Sequence, residues 1–97
     1  MTVKTKSQTS IRRTQPAVYL VYIIGQKYIP WDFSMRMLMN IFHKTNEEAK
    51  VIADEIQLSG EGICGAYIYE IAETKAVTVE SQANKEGFSV QCLLEEV

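Results

Sequence analysis

Ninety-seven residues, 46% of them hydrophobic and 23% charged, describe one globular domain of modest size and exclude both a two-domain and a disordered chain. The longest apolar run, Ala17 to Gly25, has the length of a strand, far short of the roughly eighteen residues a transmembrane helix requires. No apolar stretch with a small-residue cleavage site stands near Met1, so the chain is expected to be unsecreted and cytoplasmic, with no membrane partner.

The net charge of -2 conceals a split. Lys4, Lys6, Arg12 and Arg13 give residues 1–16 a charge of +4, leaving 6 basic against 12 acidic side chains, a net of -6, in the remainder. A body this acidic does not suit general nucleic-acid binding, and only the basic segment is fitted to meet phosphates. Cys64 and Cys92 lack CxxC or CxH spacing and His43 is the only histidine, so neither a metal site nor a cofactor is expected.

Residues 1–16, rich in Thr, Ser, Gln and basic groups, have little to bury and are expected to form a flexible arm ahead of a domain at 17–97. The β-branched and aromatic run from Ala17 to Ile24, bounded by Pro16 and Gly25, predicts a buried strand. Pro30 then suits a first helical position, with Asp32 favourable to the helix dipole. Phe33, Met37, Leu38, Ile41 and Phe42 follow at helical spacing, and Met35 and Met39 widen the apolar surface. Thr45-x-x-Glu48 predicts a capping box opening a second helix, whose Ala49, Ile52, Ala53 and Ile56 share a face and which stops near Ser59-Gly60.

Alternation of Tyr67, Tyr69 and Ile71 against Ala66, Ile68 and Glu70 predicts a strand from Ile63 to Ile71, after which Thr74 is placed to cap a third helix with Gly87 just past its end. Val90 to Glu95 returns as a short strand. The order β-α-α-β-α-β predicts a single compact α+β domain, a three-stranded antiparallel sheet covered on one face by helices.

No catalytic residue emerges. Nucleophilic catalysis needs an activated Ser or Cys beside a base, and His43 falls in a helix-helix connection. The paired acids Glu47-Glu48, Asp54-Glu55 and Glu95-Glu96 are sequence neighbours that regular structure points apart, and the glycines lack any phosphate-binding pattern. Both cysteines fall in strands, where a small buried hydrophobe is their usual role.

Three ordered blocks carry a family likeness: Tyr28-Ile29-Pro30-Trp31-Asp32-Phe33, Gly62-Ile63-Cys64-Gly65-Ala66-Tyr67 and Glu70-Ile71-Ala72-Glu73-Thr74-Lys75. Over residues 17–97 the chain resembles the ClpS adaptors, small non-enzymatic proteins that hand substrates with a large hydrophobic first residue to a Clp ATPase. The resemblance implies a face docking on the N-terminal domain of that ATPase, at Glu70, Glu73 and Lys75. It also implies an N-degron pocket at Gly25, Gln26, Lys27, Ile29, Trp31, Ser34, Ala53, Ile56, Gln57 and Val90.

In the pocket the likeness breaks. Family members hold the substrate's α-ammonium with an Asn-Asp pair and a His, where this chain has Gly25, Gln26 and Gln57, and Lys27 replaces a residue that is commonly a further Asp. A hydrogen bond to a charged partner contributes roughly 1.5 to 3 kcal/mol, so losing one weakens binding about 10- to 100-fold. Trp31 stands where the family has a rim methionine; it is able to stopper the cleft, to anchor a ligand, or simply to pack. The resemblance thus implies an adaptor or regulator of a Clp protease with altered or lost recognition of substrate N-termini. Its cargo is an unknown peptide or protein, or it has none and acts by blocking other adaptors. The alternative from the residues is a small interaction module not linked to Clp that contacts nucleic acid through the basic arm.

Overall fold

The computed structural model describes residues 3–6, as backbone, together with 16–25 and 29–97. In chain order the elements are β1 (Val3–Lys6), β2 (Val18–Gly25), α1 (Trp31–Asn40), α2 (Asn46–Ser59), β3 (Glu61–Ile68), α3 (Tyr69–Lys85) and β4 (Val90–Glu96). Strands β4, β2 and β3 form an antiparallel sheet with β2 in the centre, and the three helices cover one face of it. This is the α+β architecture that the alternation of strand and helix patterns predicts.

Period-two alternation decides which side of the sheet meets the helices. Val21 and Ile23 of β2, Cys64 of β3 and Cys92 and Leu94 of β4 point into the core, where they meet Phe33 and Leu38 of α1. The helices lie close to the strands because their inner faces are small: Ala49 and Ala53 on α2, Ala72, Ala76, Val79 and Ala83 on α3. Gly62 completes this fit, since a Cβ there would stand 2.8 Å from Cγ1 of Ile56. Gly65 leaves room for Tyr67, whose hydroxyl oxygen would lie 2.7 Å and whose ring 2.8 Å from an added Cβ. Those two glycines explain the spacing of the Gly62-Ile63-Cys64-Gly65-Ala66-Tyr67 block.

The structure departs from the sequence reading at several boundaries. Val3–Lys6, expected within a flexible arm, runs parallel to β4 and makes the sheet four-stranded, in the order β1-β4-β2-β3. Backbone pairing along an otherwise open edge requires no apolar pattern in the added strand, so composition gave no sign of it. The rest of the arm, at 1–2 and 7–15, lies outside the described residues.

The strand expected over Ile63 to Ile71 spans Glu61–Ile68, and α3 begins at Tyr69, well before Thr74. Ile68 keeps an extended conformation at the helix entrance. Thr74, one turn inside, returns its hydroxyl to the Glu70 carbonyl at 2.9 Å instead of capping. Pro30 precedes α1 in extended conformation rather than being its first residue, and its carbonyl accepts the first amide bonds of the helix. At the other end Ile41 and Phe42 fall in the turn after α1, their amides both reaching the Met37 carbonyl, before His43 turns left-handed at φ 55°. Phe42 is buried all the same.

Other features match expectation. Thr45 and Glu48 form the reciprocal capping box, Gly60 closes α2 at φ 87°, and Gly87 follows α3 at φ 86°. Met35 and Met37 pack into the core, whereas Met39 is exposed.

A two-pronged ion pair joins α1 to the end of α3: Arg36 donates to both carboxylate oxygens of Glu86, at 2.8 and 2.9 Å. The Arg36 guanidinium, aided by the Gln82 amide, holds the Glu86 carboxyl down at about 2, against an ordinary value of 4.5. The folded state therefore prefers the ionised carboxylate. Its contribution is complete above the unfolded value near 4.5 and disappears as pH falls through the folded one near 2. In thermal melts, Glu86→Gln is expected to melt below the parent protein by a constant margin above pH 5.5, with the gap closing as pH falls toward 2.5; a gap independent of pH would show that the ion pair does not stabilise the fold.

Candidate functional site

The residues assigned to a cleft come from four separate elements, β2, α1, α2 and β4, and from the segment before α1. Gly25, the last residue of β2, stands opposite Val90 of β4 and donates its amide to the Gly60 carbonyl at 2.8 Å. That bond ties the strand end to the C-terminus of α2, whose Ala53, Ile56 and Gln57 lie within the preceding two turns. Ile29 leads into α1, which supplies Trp31 and Ser34. Gln26 and Lys27 lie outside the described residues.

Four of these residues belong to the packed interior. Ile29, Ser34, Ala53 and Ile56 are all buried, Ser34 to 2% exposure, while Gln57 is exposed on the outer side of α2. The indole Nε1 of Trp31 donates to Oδ1 of Asp54 at 2.8 Å, joining α1 to α2 at the surface. Asp54 escaped the sequence reading because it lies 23 residues from Trp31 and no local pattern pairs them. The only hint was chemical: an indole N–H with part of its ring covered needs an acceptor. Gly25, Ile29, Trp31, Ser34, Ala53, Ile56, Gln57 and Val90 carry no charged side chain, and Asp54 beside Trp31 accepts the indole N–H through one of its two oxygens.

The second candidate face lies on the first two turns of α3. Glu70 and Glu73 are exposed there, flanked by the exposed apolar side chains Ile68, Tyr69 and Ile71, and the Tyr69 hydroxyl donates to Glu73 Oε2 at 3.2 Å. Lys75 behaves differently from the two acids. Its half-buried ammonium donates to the Ile41 carbonyl at the end of α1 and sits over the rings of Tyr67 and Phe42, 5.1 and 5.9 Å from their centroids. A cation so placed fastens α3 to α1.

Glu80 of α3 is a further polar residue that pattern reading missed. Only 4% exposed, it accepts the Cys92 backbone amide at 2.8 Å. Among the described residues, no group of three or more His, Cys, Asp or Glu side chains is arranged to hold a metal, and no helix is long and apolar enough to cross a membrane.

Comparison with known proteins gives a consistent result. Residues 14–93 match the family model described as "ATP-dependent Clp protease adaptor protein ClpS". A protein of Nitratidesulfovibrio vulgaris named ATP-dependent Clp protease adapter protein ClpS is 38% identical over 82 residues, 84% of this chain and 79% of that one. A protein of the same name from Phenylobacterium zucineum is 35% identical over 89 residues, 92% of this chain and 82% of its own. Among solved structures, Agrobacterium tumefaciens ClpS2 bound to L-phenylalaninamide superposes with a TM-score of 0.78 at 22% identity, covering 86% of this chain and 100% of that one.

Both cysteines are fully buried in the core. Burial pushes the Cys64 thiol up to about 12 and raises Cys92 as well, so neither forms the reactive thiolate near neutral pH. A chromogenic disulfide reagent at pH 8 should accordingly titrate neither thiol in the native protein and both in denaturant; prompt native reaction would contradict the burial of β3 and β4.

Proposed function

This chain belongs to the ClpS family of ATP-dependent Clp protease adaptors, and on that premise we propose that it is a non-enzymatic adaptor or regulator docking on the N-terminal domain of a Clp-family ATPase, with altered or lost recognition of substrate N-terminal residues. One observation carries the second half of this reading. Where the cleft is expected, the Gly25 amide is bonded internally, neither Gly25 nor Gln57 offers a carboxylate, and Asp54 accepts the Trp31 indole through one of its two oxygens. An α-ammonium needs acceptors and preferably a negative charge. The solved relative is bound to L-phenylalaninamide, a compound with a free amine beside an aromatic side chain. This chain's cleft suits the aromatic half of such a compound better than the cationic half.

The docking half is supported by the α3 face, where exposed acids border exposed apolar side chains. Such a combination gives a partner both an apolar contact and an electrostatic orientation. Lys75 contributes to this face indirectly, by fixing the start of α3. It does not present a free charge. The cargo is a peptide or protein recognised without its terminal charge, or docking alone competes with other adaptors.

Two measurements test the reading. In titrations against the isolated N-terminal domain of the host's Clp ATPase, the double variant Glu70→Lys with Glu73→Lys is expected to bind about tenfold more weakly while melting as the parent does. Lys75→Met should instead lower stability by about 1 to 2 kcal/mol in urea unfolding, since the Ile41 carbonyl and two rings lose their cation. Unchanged affinity in the double variant would place docking elsewhere. For the cleft, peptides beginning with Phe, Leu, Trp or Tyr are expected to bind no better than their acetylated copies; tight, amine-dependent binding would overturn the altered specificity.

A further inference from the structure

We propose that the outer edge of β4 is a binding site for an extended polypeptide segment, which adds to the sheet in parallel register and is held through its main chain, and that β1 is the chain's own occupant of that site. The edge lies on the far side of the sheet from β3, the strand that leads into α3, so this site is separate from the acidic face at the start of that helix.

The direction of the β4 amides defines what the edge offers. The Val97 amide donates to the Val18 carbonyl of β2 at 2.9 Å, and along an antiparallel strand alternate amides point the same way, so those of Gln91, Leu93 and Glu95 also face β2. Those of Cys92 and Leu94 face outward. The Cys92 amide is already taken, at 2.8 Å, by the carboxylate of Glu80 on α3, a side chain only 4% exposed and therefore fixed by its packing. Glu80 thus sets the register. The ladder to an added strand starts from the Cys92 carbonyl and the Leu94 amide.

β1 covers only part of this edge, since its four residues meet Cys92–Glu95 whereas β4 pairs with β2 from Val90 to Glu96. Lys6 and Leu20 are both level with Glu95, so β1 ends and β2 begins at the same end of the sheet, about 10 Å apart across β4. Eleven residues, 7–17, connect them, a length of chain able to span roughly 36 Å. β1 is therefore free to leave the edge while β2, β3 and β4 stay paired. A tethered strand also meets the edge at a far higher effective concentration than a second copy of the chain does, which favours the closed monomer over a swapped dimer.

The ligand's chemistry follows from the register. Directly paired residues on neighbouring strands share a face of the sheet, so positions beside Cys92 and Leu94 fall on the helix side and those beside Leu93 and Glu95 on the open side. On that open side Glu95 carries a carboxylate, one oxygen of which accepts the Tyr22 hydroxyl at 2.8 Å. The resident sequence respects this division: Val3 and Thr5 are paired with Cys92 and Leu94, and Lys4 and Lys6 with Leu93 and Glu95. The site takes an internal segment that alternates β-branched and basic residues, and the segment's termini play no part.

The probe is a peptide of residues 2–8, amidated and with fluorescein on its blocked N-terminus, so that no terminal charge contributes. Lys4→Pro with Thr5→Pro puts two adjacent prolines into the full-length protein and removes a ladder donor whichever alternate set bonds to β4. This variant is expected to bind the probe about tenfold more tightly than the parent protein does, because the resident strand no longer occupies the edge. By NMR, the Leu94 amide should exchange with deuterium faster in the variant than in the parent and slow again when the probe is added. Replacing both lysines of the probe by glutamate should weaken binding about tenfold; equal binding would overturn the charge preference.

Equal affinity for parent and variant would overturn the proposal, as would probe binding that leaves Leu94 exchange unchanged. A variant that dimerises without gaining affinity for the probe would give the edge to a second copy and overturn it too. Should the variant fail to fold, the parent protein decides: a millimolar probe with a nitroxide at its C-terminus is expected to broaden the Glu95 and Glu96 resonances first, and broadening elsewhere, or none, would remove the site.

Discussion

Alanine separates the two long helices from the sheet, and the closeness it permits governs most of what else the chain does. Ala49 and Ala53 let α2 settle over β3 until Ile52 and Ile56 reach the bare backbone of Gly62. Ala72, Ala76 and Ala83 do the same for α3. Larger side chains at these positions would lift the helices outward, and interiors packed at crystal-like density do not absorb such a change quietly. The end of α2 would then move away from the end of β2, and the bond between the Gly25 amide and the Gly60 carbonyl could not form. The joined ends of β2 and α2 are thus a by-product of helix-to-sheet spacing.

A second layer of contacts then fixes α1, which touches the rest of the molecule through several polar ties. Arg36 reaches the end of α3, Trp31 reaches α2, and the Ile41 carbonyl receives Lys75. Each of these is partly exposed and individually modest, but they act at different points along one ten-residue helix and leave it little freedom to rotate. The two thiols are sealed in the core, and the single histidine is held in a left-handed turn at the surface.

Much of this was legible in the residues because local rules act locally. The capping box at Thr45 and Glu48, the αL glycine after α2 and the apolar faces of all three helices follow from spacing alone. The switch at Ile68 was not legible, since Tyr67, Tyr69 and Ile71 fit a strand's alternation while Ala72, Ala76 and Val79 fit a helix, and both patterns overlap for several residues. β1 escaped because main-chain pairing leaves no mark on composition. For Gly25, Gln26 and Gln57, the expected loss of charged partners came from the family resemblance and not from local pattern, and Gln26 lies outside the described residues. The partner of Trp31 could not be read, because the contact depends on how two helices are placed. Lys75 was legible as a charge on the correct helix, but its distant carbonyl, 34 residues away, was not.

Lys75 has a consequence for geometry at larger scale. It anchors the C-terminal end of α1 against the base of the α3 face, while Trp31 occupies the opposite end of the same helix. Ten helical residues span about 15 Å. α1 therefore acts as a rigid spacer, holding Trp31 and its Asp54 contact at a fixed offset from the acidic start of α3.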